Sequence, residues 1–442
     1  MADIVILGAG PGGCVAAIHL RRLGFAVTLI GVPGRGGPDG AIEGASPRVV
    51  EGFRRAGCAG AVAALGPLAR RRAVWDGATS DHNGEYLIAR ASFDQALRED
   101  ARAAGVTVID GRVTGYERRG DIWQVTLRDG RPVSASGFLV EARGRRAPRG
   151  RQVVQRGART LALRRRYIGL PPGPARSGAA SFRDGWAWFA DFGEGEASLQ
   201  FFLDHPGAGG GDRAVLFEAA LAACPEAHTW VVGGRPAGPV LAREATALRH
   251  ARPLEERLIR IGDAAMAIDP LSGHGLFEAV GGAMAAAPVI NTALNRPGDG
   301  ALARAFYEQR QSTAFLRHAR IGRDFYRAES RWPDRPFWAV RRRWPDDAPG
   351  HAAPVAGVGE ICRRPVVCDG FIVRREVVVT PDQPRGVLML AGVPLAALWR
   401  ALGAGAADTA SLAEHFGATP GQIAEAAGWL MARKLIRSAP AG

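Results

Sequence analysis

The sequence predicts an α/β chain, α+β in its middle: a layer of parallel strands and helices, an antiparallel sheet interleaved with it, and a small C-terminal domain. Three observations predict this. A strand, a glycine-rich turn and a helix open the chain, and a second strand-loop-helix returns at 258–294. Between them, 160–245 is strand-like and aromatic, with Phe182, Trp186, Trp188, Phe189, Phe192, Phe201 and Phe202. The last 80 or so residues carry three short helical patterns.

Ile4-Val5-Ile6-Leu7 is a short apolar run, as expected of a strand buried on both faces. It ends in Gly8-Ala9-Gly10-Pro11-Gly12-Gly13, and a helix follows to about Leu23, where Gly24 is placed to end it. Ala26 to Ile30 is the second strand. Arg90 to Gly105 is amphipathic, through Phe93, Leu97, Ala101 and Ala104, and leads into a strand at Val106 to Ile109. Trp123 to Leu127 and Val133 to Val140 read as a strand pair turning at Asp129-Gly130. Residues 329–359 are rich in Pro, Trp and Arg without periodicity, which predicts a linker or arm. Beyond it come a strand at Phe371 to Val379 and a helix at Leu395 to Leu402. A second helix is capped at Thr409 or Ser411 and stopped at Gly417. A third starts at Thr419, with Pro420 in its first turn and Gln422 placed to close a capping box. The expected domains are a Rossmann-like one at 1–160 and 246–325, and an inserted sheet at 161–245 with about 66–89. An arm at 326–360 and a winged-helix-like domain at 361–440 complete the chain.

Hydrophobic residues make up 47 % of the 442, and no run has the length and apolar density of a membrane-spanning helix. The N-terminus enters a strand almost at once, without the basic and apolar regions of a signal peptide, so the cytoplasm is the expected location. Five scattered cysteines suit a reducing compartment and offer no metal-ligand spacing, so no metal is expected. The net charge of +14 rests almost wholly on arginine, since Lys434 is the only lysine. The arginine clusters lie far apart without interleaved aromatics, which disfavours nucleic acid and suits an acidic protein partner.

Gly8-x-Gly10-x-x-Gly13 follows a strand and opens a helix, the context that makes it a dinucleotide fingerprint. The first glycine permits the turn, the second lets backbone approach a pyrophosphate, and the third lets helix and strand pack closely. Pro11, within this turn, is counted with the glycines as a cofactor-binding residue. The acidic residue expected at the end of the second strand, to bind ribose, is replaced by Gly31. Later, an apolar strand runs into Gly262-Asp263, and then come Asp269-Pro270-Leu271-Ser272-Gly273-His274-Gly275 and an Ala-rich helix. Asp263 is placed to bind ribityl hydroxyls. The turn Pro270 to Gly275 would set backbone N–H groups, at a helix N-terminus, against the flavin edge. Together the two segments predict FAD. His274 is the candidate for hydrogen bonding or proton transfer beside the substrate.

At these residues the chain resembles the flavoprotein monooxygenases of the para-hydroxybenzoate hydroxylase type and their flavin-dependent halogenase relatives, over roughly 1–320. The resemblance extends to Ile88-Ala89-Arg90-Ala91-Ser92-Phe93-Asp94, where that family has an arginine reaching the FAD, and to Val140-Glu141-Ala142-Arg143-Gly144-Arg145. Glu43 to Pro47 is similar to the family's Glu-x-x-x-Pro stretch, adding Glu43 to the cofactor residues. It implies flavin reduction, reaction with O₂ and oxygen transfer from a flavin C4a-hydroperoxide, the protein positioning substrate and excluding water. Trp186-Ala187-Trp188 is similar to the first half of the halogenase Trp-x-Trp-x-Ile-Pro signature, but Ala190-Asp191 departs from the second. The N-terminal domain also lacks the lysine that halogenases of this family are expected to carry.

With the winged-helix-like C-terminal domain added, read as docking a peptide in preference to DNA, the combination resembles the tryptophan-hydroxylating maturation flavoproteins of quinohemoprotein amine dehydrogenase. That implies hydroxylation of an indole ring on a peptide or small protein, toward a tryptophylquinone cofactor, with NAD(P)H or a separate flavin reductase supplying electrons. Four other readings remain: hydroxylation of a free aromatic molecule, tryptophan halogenation, a flavin-binding regulator whose C-terminal domain contacts DNA, and a saturated-bond reductase of the same superfamily.

Overall fold

In the computed structural model, which describes residues 3–33, 41–148, 153–205, 211–404 and 408–436, the opening apolar run forms strand β1 (Asp3–Leu7). Helix α1 (Pro11–Arg22) and strand β2 (Ala26–Gly31) follow it. The amphipathic stretch becomes α2 (Arg90–Ala103), burying Phe93, Leu97 and Ala101, and leads into β3 (Thr107–Asp110). The strand expected over Val133 to Val140 is two. Pro132–Ala135 pairs with Ile122–Leu127, whereas β4 (Phe138–Glu141) enters the main sheet after a break at Ser136-Gly137. The Gly137 N–H donates to the Asp3 carbonyl at that point. Strand β5 (Leu258–Arg260) and helix α3 (Gly275–Asn295) complete the nucleotide layer, and α4 (Gly300–Ala328) follows.

Strands β5, β4, β1, β2 and β3 lie side by side in parallel, with the short Leu254–Glu255 antiparallel at the edge. Their side chains are buried on both faces, as the continuous apolar runs require: Ile4, Ile6, Leu29, Leu139, Val140 and Ile259 are wholly inaccessible. The second sheet has eight strands in the order Arg235–Glu244, Thr160–Ile168, Glu196–Asp204, Gly185–Asp191, Arg176–Phe182, Leu68–Trp75, Ala78–Ala89, Ile42–Ala45. All neighbours are antiparallel except Arg176–Phe182 with Leu68–Trp75. One face packs on the helices Arg213–Ala223 and Pro225–Val231 through Leu163, Phe189, Leu199, Phe201 and Phe217. Alternate residues therefore point to the opposite face.

The arm expected at 326–360 is corrected in its first part. Met1–Leu294 and Tyr307–Gly350 form one compact unit, and Phe337 and Trp338, on the helix Pro336–Arg341, are buried within it. Apolar area decides this: Trp75, Tyr326, Trp332, Phe337 and Trp338 pack together with Trp186 and Phe202 of the large sheet. The period was missing because a single helical turn and its loops bury their rings without repeating.

The second unit comprises Asn295–Phe306 and His351–Gly442. Its three-stranded antiparallel sheet (Glu360–Cys368, Phe371–Thr380, Gln383–Val387) precedes helices Leu395–Gly403, Thr409–Phe416 and Pro420–Ala432. Val378, Leu395, Leu398, Leu412, Ile423 and Leu430 form its core. Asp408, not Thr409 or Ser411, caps the middle helix, its carboxylate accepting the Ser411 N–H at 2.8 Å. The capping box of Thr419 and Gln422 is present on the last.

α3 is the one helix among the described residues long and apolar enough to cross a membrane, and 67 % of that window is buried inside the fold. All five cysteines are free.

Candidate active site

A cavity of about 1640 Å³ runs from the carboxyl ends of β1 and β2, past the loop before α3, to the free face of the large sheet. Such crevices at strand ends are where open α/β sheets bind ligands. Gly8, Gly10, Pro11, Glu43, Arg90, Gly262, Asp263, Pro270, Gly273 and Gly275 all line it. Gly13 acts from behind: a Cβ there would lie 1.9 Å from the Gly8 carbonyl oxygen, so only glycine lets α1 sit on β1. Gly8 itself has φ +117°, and a Cβ on it would lie 2.4 Å from the Ala142 carbonyl oxygen. Around the Cβ direction of Gly10, by contrast, there is open space to 4 Å. That opening over the N-terminus of α1 fits a pyrophosphate meeting unpaired N–H groups.

Arg90 is clamped rather than free. Its guanidinium donates to Glu43 at 2.6 Å and to both oxygens of Asp94 at 3.0 and 2.9 Å. The two carboxylates hold its charge and its direction, so it reaches the cavity pre-oriented. Asp263 is enclosed by protein but keeps accessible surface toward the cavity, and Arg145 Nε lies 3.3 Å from it. Burial pushes the Asp263 carboxyl up, and Arg145 opposes this. Arg145 is fixed in turn by donating to the Thr246 carbonyl at 2.7 Å.

The loop before α3 is built by Asp269. This buried carboxylate accepts the Leu271 N–H at 2.9 Å and the Tyr326 hydroxyl at 3.1 Å, while Ser272 donates back to its carbonyl at 2.8 Å. Gly273 then takes φ +67°, and around the Cβ directions of Gly273 and Gly275 there is no atom within 4 Å. A bare backbone surface facing the cavity at a helix N-terminus is what an isoalloxazine edge needs. The residues present therefore fit FAD along the whole cavity.

His274 is where the structure departs from expectation. Its ring does not line the cavity: Nδ1 donates to the Ser272 carbonyl, and the ring lies 4.7 Å from that of His318 on α4. The left-handed turn at Gly273 directs the His274 side chain away from the cavity, so a catalytic role is withdrawn and only its backbone belongs to the flavin loop. Burial, with His318 beside it, pushes the His274 imidazole below its usual range. His274→Leu is expected to lower turnover by less than about tenfold, under 1.4 kcal/mol of barrier; steady-state kinetics checks this.

Behind it, Glu278 in the first turn of α3 accepts from His318 Nε2 at 2.9 Å and Arg310 at 3.1 Å. Burial opposes its ionisation, but these hydrogen bonds and charges outweigh it and hold the carboxyl at about 2, below the ordinary 4.5. Its stabilisation is therefore complete above pH 4.5 and is lost as pH falls toward 2. Glu278→Gln is expected to cost on the order of 3 kcal/mol at pH 7 and to flatten the acid limb between those limits, read from urea unfolding across pH.

The far wall is the free face of the large sheet. Arg164, Gln200, Trp188 and Ala179 stand in one cross-strand row, and Ala162, Phe202 and Trp186 in the next, all facing the cavity. Trp186 stacks on Phe202 with centroids 3.9 Å apart and planes 11° apart. Both tryptophans of the Trp-x-Trp segment are thus pocket lining. Gln200, two places from Phe202, was legible only through the period of two, which the aromatic run obscured.

Residues 53–349 match the tryptophan halogenase family. The chain belongs to that family. Over 98 % of its length and 99 % of the other's, it is similar to the solved structure of QhpG, a peptidyl tryptophan dihydroxylase essential for tryptophylquinone cofactor biogenesis, with 40 % identity and a TM-score of 0.81. The flavin-dependent halogenase CmlS shares the fold at TM-score 0.75 and 19 % identity, over 98 % of this chain and 92 % of that one. Tryptophan 2-halogenase of Chondromyces crocatus is 25 % identical over 77 % of this family member and 70 % of its own length. A digeranylgeranylglycerophospholipid reductase of Thermoplasma volcanium is 24 % identical over 66 % of this chain and 78 % of its own. This tryptophan halogenase family member is an FAD-dependent oxidoreductase.

Proposed function

We propose that the protein is an FAD-dependent monooxygenase that hydroxylates a tryptophan side chain of a peptide or small protein, in biogenesis of the tryptophylquinone cofactor of quinohemoprotein amine dehydrogenase. The observation that carries this reading is the 40 % identity to a peptidyl tryptophan dihydroxylase over nearly the full length of both chains. Reduced FAD, when bound, activates O₂ and supplies one oxygen atom per turnover, the other leaving as water. Trp186, Trp188 and Phe202 offer flat faces to an indole, while Arg164 and Gln200 offer polar ends beside them. Arg90, Asp263 and the Pro270–Gly275 backbone hold and orient the cofactor. The substrate polypeptide is acidic, in keeping with a net charge of +14 and with Arg71 and Arg243 on the cavity wall. Electrons come from NAD(P)H or a flavin reductase, and the reaction takes place in the cytoplasm, where five free cysteines stay reduced.

Halogenation is the second reading, favoured by the family match at 53–349. Against it stands the absence of lysine from the chain before Lys434. Mass spectrometry of the dehydrogenase small-subunit polypeptide, treated with this protein, O₂, a flavin reductant and bromide, separates the two. One or two oxygen masses on a tryptophan are expected. Bromine on that tryptophan would establish the halogenase, and an unmodified polypeptide with flavin that still consumes O₂ would point to a free aromatic substrate.

A further inference from the structure

The fingerprint lacks its usual partner, an acidic residue at the end of β2, and the surroundings of Gly31 show that none can stand there. A Cβ on Gly31 would lie 2.4 Å from the Ala9 methyl and 3.1 Å from Nη1 of Arg98. The space that a carboxylate would occupy is thus already filled by a guanidinium. Arg98, on α2, is 3 % exposed and lines the cavity. Its Nη2 donates to the Asp110 carboxylate, while Nη1 and Nε are buried without a hydrogen-bond partner among the described residues. A buried donor left unsatisfied is costly, and a charged one more so.

Asp110 closes the gap on the other side. It ends β3, the parallel neighbour of β2, and its Cα is the register partner of Gly31. Its side chain is 55 % exposed. A carboxylate is therefore present beside the end of β2, carried by the next strand instead of the same one. In this fold the adenosine ribose of a dinucleotide lies at that point once its pyrophosphate sits on α1.

We propose that Arg98 and Asp110 together bind the adenosine ribose of FAD, Arg98 Nη1 donating to one hydroxyl oxygen and Asp110 accepting from the other hydroxyl. The assignment rests on FAD being the cofactor. The pair supplies both polarities that a diol needs, and the ribose gives the buried Nη1 its acceptor.

The test is equilibrium binding, read by quenching of flavin fluorescence, of FAD and of its analogue bearing 2′,3′-dideoxyadenosine. The unsubstituted protein is expected to bind FAD at least about tenfold more tightly, as for hydrogen bonds involving charged groups. Arg98→Met and Asp110→Ala are each expected to weaken FAD binding about tenfold and to bring the two affinities together. Equal affinities in the unsubstituted protein, or a preference that survives both substitutions, would overturn the assignment. No flavin binding by the unsubstituted protein would overturn the cofactor reading itself.

Discussion

Gly13→Ala is expected to empty the cofactor site and destabilise the fold together. The added methyl would lie 1.9 Å from the Gly8 carbonyl oxygen, which is backbone and has nowhere to yield, since Gly8 is itself pressed against Ala142. α1 must then lift from β1, which costs about 3 kcal/mol as overpacking and turns the helix N-terminus away from its anion. Gly10→Ala is the informative contrast. Its Cβ points into open space, so unfolding of the apo-protein is expected to stay within about 0.5 kcal/mol of the parent, as for other substitutions that meet no neighbour. FAD affinity should nevertheless fall, because that space is the ligand's. Urea unfolding of apo-protein and FAD titration, run on both variants, check the pair; equal unfolding midpoints for the two would contradict the packing account.

Trp338→Ala carries the largest expected loss of stability alone. The indole is wholly buried, touches Trp75, Tyr326, Trp332 and Phe337, and donates its N–H to the Arg183 carbonyl at 3.1 Å. Truncating it removes the transfer energy of a large aromatic and leaves a cavity, about 3–5 kcal/mol. The effect reaches the flavin loop, because Tyr326 both packs on this ring and donates to Asp269. Weakened FAD binding should therefore accompany the lower unfolding midpoint.

The nucleotide layer was legible because it is written locally. Gly8, Gly10 and Gly13 follow a strand and open a helix within a few residues, and the loop Asp269–Gly275 repeats that logic. The third helix of the C-terminal unit was equally plain, since Thr419 and Gln422 cap it across three positions. What escaped depends on partners far apart in the chain. Trp338 finds Phe182, and Arg145 finds Thr246, across more than 100 residues, and no period records such meetings. His274 was placed correctly in the loop, but the side its ring takes is set by the left-handed Gly273 and the Ser272 carbonyl, which turn it toward His318 of α4 and away from the cavity.

The register of β2 against β3 carries a consequence for how such chains are compared. Asp110 stands across from Gly31 although 78 intervening positions separate them in the chain. A pattern that demands an acid a fixed number of residues after the last fingerprint glycine counts along one strand and would reject this protein. Counted across the sheet, the charge is in place. A homologue in which Ala9 becomes glycine and Arg98 a smaller residue would have room to move the acid back to the end of β2, so residues 9, 31, 98 and 110 should exchange as a set through descent.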